Sequence, residues 1–107
     1  MSRIGEYLES VFSLEGKIIL MTGAAGGLGA AMAEALAKAG GTVLIGDLAQ
    51  SPAKDLARRM TEDGLKAKAY DLDVTDTVQI KACVDAVIEE FGRIDVLINV
   101  AGINRRE

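Results

Sequence analysis

The chain has 107 residues, 50% of them hydrophobic and 26% charged, with a net charge of −4, one cysteine and no histidine. That composition is typical of one globular domain with a modest core. The acidic balance argues against a nucleic-acid partner, and a lone Cys83 without histidine leaves neither a disulfide framework nor a zinc constellation.

A polar amino terminus and apolar runs no longer than a strand offer no signal peptide and no membrane span, so a cytoplasmic setting is expected. Ile4, Leu8, Val11 and Phe12 recur at helical spacing, which predicts an amphipathic arm over residues 1–15 ahead of a domain over 16–107. Lys17-Ile18-Ile19-Leu20-Met21 reads as a buried parallel strand ending at Thr22. The glycine-rich turn Gly23-Ala24-Ala25-Gly26-Gly27-Leu28-Gly29 follows, then a helix with an apolar face of Leu28, Met32, Ala35, Leu36 and Ala39 that Gly40-Gly41 terminates. Strand, glycine turn and helix in that order suit a diphosphate. Residues without side chains let it approach the main chain, and the first amides of the helix face it.

Thr42–Gly46 predicts a second strand with Asp47 at its carboxyl end. A carboxylate about 20 residues past such a turn is placed to accept the ribose hydroxyls of adenosine and to repel a 2′-phosphate. Ala24, Ala25 and Leu48 supply no cation for that phosphate, so NAD is favoured over NADP. Asp47 as the opening of a plain loop is the competing reading. Ser51 and Pro52 predict a helix start, with Ser51 as cap and Pro52 in first position, running through Leu56 and Met60 to Gly64. A third strand over Lys66–Tyr70 precedes Asp71-Leu72-Asp73-Val74. From Val78 a helix presents Ile80, Val84, Val87, Ile88 and Phe91, with Cys83 beside that stripe and Gly92 at the end. Val96–Val100 reads as a fourth buried strand leading into Ala101-Gly102.

The spacing Thr22-Gly23-x-x-x-Gly27-x-Gly29 is joined, in matching order, by Gly46-Asp47-Leu48, Asp71-Leu72-Asp73-Val74 and Asn99-Val100-Ala101-Gly102. Together they resemble the short-chain dehydrogenase/reductase family from about Phe12 onward. The resemblance implies an α/β fold, the N-terminal half of a Rossmann-type doubly wound parallel sheet with strand order 3-2-1-4. It implies a cofactor grip in which Gly23, Ala25, Gly26, Gly27, Leu28 and Gly29 surround the diphosphate and Asp47 and Leu48 meet the adenosine. The Asp73 side chain and Val74 backbone would meet the adenine, and Asn99, Ala101 and Gly102 would lie beneath the nicotinamide ribose. A structural alternative has Asp71 and Asp73 merely opening the next helix, capped at Thr75. Family members usually carry a second Asn where Val100 stands.

The implied reaction is hydride transfer between NAD and a secondary alcohol or ketone, with a Tyr acid/base whose pKa a Lys lowers. Relatives carry the catalytic Ser, the Tyr-x-x-x-Lys pair and a helix Asn in later segments. Tyr7 and Tyr70 are the only tyrosines here, and Val11 and Val74 stand four places on. The 107 residues are therefore expected to hold no catalytic residue, to bind NAD weakly or not at all, and to show no turnover by themselves. An apolar fourth strand at the sheet edge is expected to favour self-association.

Phe12–Lys17 and Gly102–Arg106 resemble the gluconate 5-dehydrogenase-like branch of sugar-acid dehydrogenases. Arg105 and Arg106 beyond a strand end suit a sugar carboxylate, or form a solvated basic pair. Methyl transfer from S-adenosylmethionine fits Thr22 and the Asn99–Gly102 segment poorly. A nucleoside triphosphatase needs Gly-Lys-Ser/Thr where Gly29-Ala30-Ala31 stands. The non-enzyme alternative is a nucleotide-binding or assembly module.

Overall fold

The computed structural model describes residues 13–23 and 26–100; residues 1–12, Ala24, Ala25 and residues 101–107 lie outside the described residues. Seven elements alternate along the chain: β1 Ile18–Thr22, α1 Gly27–Lys38, β2 Thr42–Asp47, α2 Ala53–Glu62, β3 Lys66–Asp71, α3 Thr77–Phe91 and β4 Val96–Asn99. The strands form one parallel sheet in the order β3-β2-β1-β4, as the sequence predicts.

Apolar side chains on both faces of β1 and β2 create two cores, the expected pattern for parallel strands covered on both sides. Ile19, Met21, Val43 and Ile45 pack with Ala33 and Ala37 of α1 and Leu56 and Met60 of α2. On the other face Ile18, Leu20 and Leu44 pack with Leu72 and with Cys83 and Val87 of α3. Among the described residues, no helix is long and apolar enough to cross a membrane.

The helix faces differ from the hydrophobicity pattern by one step. In α1 the buried residues are Gly29, Ala33 and Ala37, whereas Leu28 is 55% exposed and Ala35 is exposed. The smallest side chains, four apart, let the helix axis approach the sheet, and Met32 and Leu36 pack from its flank. In α3 Cys83 and Val87 are the buried pair, so Cys83 belongs to the packed face, while Ile80 and Ile88 are largely exposed.

Two helix starts are corrected. Pro52 occupies the N-cap of α2 rather than the first helical position, and Ser51 Oγ accepts from the Ala53 amide at 3.3 Å. The α3 cap is Asp76, not Thr75: Asp76 Oδ1 accepts from the Val78 and Gln79 amides at 2.9 and 3.3 Å. Thr75 is instead turned onto Asp73.

The fourth strand is not buried as expected. Leu97 is 66% exposed and Ile98 half-buried. Helix α3, on the same face as Leu97, lies displaced toward the β3 edge of the sheet, where Glu90 meets Lys68 and Tyr70 of β3.

Candidate cofactor site at the carboxyl edge of the sheet

Parallel pairing brings the carboxyl ends of all four strands to one edge. Thr22 is in register with Gly46 and with Asn99, and Gly46 and Asp47 are in register with Tyr70 and Asp71. The turn after β1 is tied to β2 directly, because the Gly23 amide donates to the Gly46 carbonyl at 2.8 Å. Asp47, one residue on, therefore stands beside the mouth of the glycine turn.

Gly23 and Gly27 adopt φ of +72° and +50°, a left-handed region that side chains disfavour, which is why this turn takes glycine at both positions. The α1 N-cap is Gly26, which has no side chain to occupy the first-turn amides, and no acid lies in that turn. Helix geometry directs those amides out of the end of α1, with a dipole contribution of about 0.3 to 1 kcal/mol for an anion placed there. The Gly29 amide, by contrast, turns back to the Gly26 carbonyl at 3.1 Å, and Gly29 is buried.

The segments after β2 and β3 are shaped by their own polar groups. Asp47 Oδ1 accepts from the Leu48 amide at 2.8 Å, and the Asp47 carbonyl accepts from Leu72 at 2.7 Å. Leu72 is seated on Gly46, where even a β-carbon would come within 2.8 Å of Leu72 Cδ2. Asp73 Oδ1 accepts from the Thr75 hydroxyl at 2.7 Å and the Thr75 amide at 2.9 Å. These two bonds, the hydroxyl first, hold its carboxyl below the usual carboxylate value. The Asp73 amide in turn donates to Gln79 Oε1 at 2.9 Å.

Leu48 and Val74, which follow β2 and β3, are 43% and 41% exposed. A cavity of about 600 Å³ opens beside Leu48, Gln50, Tyr70, Asp73 and Gln79. A second, mostly apolar cavity of about 250 Å³ runs between β1, β4 and α3, bordered by Thr22, Val74, Leu97 and Asn99.

At β4 the buried Thr22 hydroxyl donates to Asn99 Oδ1 at 2.9 Å, and the Val100 amide donates to the Thr22 carbonyl at 2.9 Å. The Val100 side chain is fully buried with the α1 and α2 core. Its departure from the usual Asn thus takes the form of an apolar side chain in an apolar setting.

Of the predicted site residues, Gly23, Gly26, Gly27, Leu28, Asp47, Leu48, Asp73, Val74 and Asn99 all fall on this edge, and Gly29 sits behind it. Ala25, Ala101, Gly102, Arg105 and Arg106 lie outside the described residues. Sequence reasoning missed the support given by Thr75 and Gln79 to Asp73. Thr75 at two residues' spacing from an Asp was a legible signal for an Asx-type turn; Gln79 carried none.

These features define an α/β protein whose four-stranded parallel sheet gathers its glycine turn and acidic strand ends at one edge. Residues 17–107 match the profile of the short chain dehydrogenase family, and the chain belongs to that family. It is 44% identical over 94 residues to the D-threitol dehydrogenase of Mycolicibacterium smegmatis, covering 88% of this chain and 36% of that protein. It is 38% identical over 99 residues to the 5-keto-D-gluconate 5-reductase of Escherichia coli K12, covering 92% of this chain and 39% of that enzyme. Its fold superposes on a Haemophilus influenza oxidoreductase solved with bound NAD, with a TM-score of 0.76 and 32% identity over 84% of this chain and 32% of the other. The chain thus spans little more than a third of the curated relatives it matches, and the sugar-acid resemblance read from its ends has a counterpart among them.

Proposed function

We propose that the chain forms the cofactor-binding part of an NAD-dependent oxidoreductase that moves hydride between NAD and a secondary alcohol or ketone, with a sugar acid such as gluconate as the substrate class. The observation that carries this reading is the tie between Gly23 and Gly46, which sets Asp47 beside the glycine turn. In the proposed complex the amides of Gly26 to Leu28 bind the diphosphate. The Asp47 carboxylate accepts the ribose hydroxyls, and Leu48 and Val74 flank the adenine, with Asp73 at its amino group. Bound NAD supplies the hydride acceptor. These residues bind and orient it, while Asn99, held by Thr22, supports the nicotinamide side together with Ala101 and Gly102. Gluconate-type substrates are supported by the reductase relative and by Arg105 and Arg106 after β4.

The 107 residues include no Tyr-x-x-x-Lys pair, so in this reading they hold the adenosine half weakly and carry out no turnover alone. Asp47→Ser tests the cofactor preference. Removing the carboxylate is expected to lower the NAD-to-NADP affinity ratio roughly fivefold, the scale of about 1 kcal/mol for two unit charges about 4 Å apart in water. An unchanged ratio would count against the ribose role of Asp47.

A further inference from the structure

We infer that Asp71 is a specificity-determining residue that acts by holding Lys54 away from the adenosine 2′ position; this deepens the NAD reading above and rests on it. Pleat alternation places the groups. Along β2, Val43 and Ile45 face α1 and α2 while Leu44 faces α3, so Asp47 falls on the α1–α2 face. Along β3, Ala67 and Ala69 face the same way while Tyr70 faces α3, so Asp71 joins Asp47 on that face. The two are register partners. The backbones that carry these two acids therefore run one strand spacing apart, about 4.8 Å, at the carboxyl edge.

Lys54, in the first turn of α2, is a cation on this face, and its Nζ lies 3.4 Å from Asp71 Oδ1. Both side chains are more than half exposed, so the pair is weak and the ammonium is held rather than locked. A four-carbon stem lets the same ammonium span one strand spacing. Released from Asp71, it reaches the ribose side of Asp47, where a 2′-phosphate would sit. Arg58, one turn further along α2, is engaged by Asp55 and Glu62. A 2′-phosphate thus meets two carboxylates, with the adjacent lysine drawn onto the second. Asp71 is a positioning residue here, because its effect passes through Lys54.

The test is titration of the ¹⁵N-labelled chain with adenosine 5′-monophosphate and adenosine 2′,5′-bisphosphate, reading the Gly23 and Leu48 amides. Only the affinity ratio of the two probes is used, which a variant's loss of stability leaves unmoved. Asp47→Ser is expected to raise the relative affinity for the bisphosphate. Adding Asp71→Asn is expected to raise it a further two- to fivefold, roughly the scale of one exposed ion pair. Lys54→Ala in that double variant is expected to cut the second gain back to what loss of the Asp71 charge alone provides, and Asp71→Glu, which keeps the ion pair, to give none. A ratio that Lys54 does not govern overturns the inference while leaving the cofactor reading intact. Failure of the monophosphate to shift Gly23 and Leu48 in the unsubstituted chain overturns both.

Discussion

Asp95 joins two strand starts through one oxygen. Its Oδ2 accepts from the Ile18 amide at 2.8 Å and from Arg93 Nε at 2.9 Å, and the Asp95 amide donates to the Ile18 carbonyl at 2.8 Å. Arg93 also reaches the Gly16 carbonyl, closing a clamp across β1 and β4 at the edge opposite the cofactor site. The Arg93 guanidinium first, and the Ile18 amide second, hold the Asp95 carboxyl below its usual value. A carboxyl depressed in the folded state adds stability above its unfolded pKa, about 3.9, and loses it as pH falls through the folded value. Asp95→Asn is therefore expected to lower the thermal midpoint at pH 7, with the gap to the parent shrinking below about pH 4. A gap that persists unchanged at lower pH would contradict the charge-based account. At this scale Asp47 was legible because a charged residue ending an apolar strand is conspicuous. The Asp95 clamp was not, since it joins residues 77 apart in sequence.

Elements were legible where glycine punctuates them, and their faces were less so. Gly40, Gly64 and Gly92 mark where α1, α2 and α3 give way, close to the boundaries read from the sequence. Hydrophobicity, however, selects the large residues Leu28, Met32 and Leu36, whereas close packing on a sheet buries the small ones, Gly29, Ala33 and Ala37. The start of α3 shows a related limit. Thr75 and Asp76 are both good caps by type, and only the structure shows that Asp73 has already engaged Thr75. Asp76→Ala is expected to cost about 1 kcal/mol of unfolding free energy in urea titration, because two first-turn amides lose their acceptor. Thr75→Ala is expected to leave the α3 cap intact; equal losses from the two variants would contradict the assignment of Asp76 as the cap.

For the whole molecule, the alternation of strands and helices was enough to give the 3-2-1-4 order, because parallel strands need crossovers and short connections leave few arrangements. What composition could not give is how unequally the sheet is covered. The β3 edge carries Lys66 and Lys68, engaged by Glu15 and Glu90, charges of the kind that discourage strand addition. Outer strand β4 presents Val96 at 36% exposure and Leu97 at 66%. The 107-residue chain is accordingly expected to self-associate through β4, with sedimentation coefficients that rise with concentration, and Leu97→Lys is expected to suppress the rise. A concentration-independent monomer would contradict it.

The most direct measurement is an NMR titration of the ¹⁵N-labelled chain with NAD and, separately, NADP. Amide shifts from NAD are predicted at Gly23, Gly26 to Gly29, Asp47, Leu48, Asp73 and Val74, with NADP needing higher concentration to produce them. Saturation by NADP at the lower concentration, or shifts confined to the opposite edge around Gly16, Arg93 and Asp95, would contradict the assignment of the glycine turn and Asp47 as an NAD site.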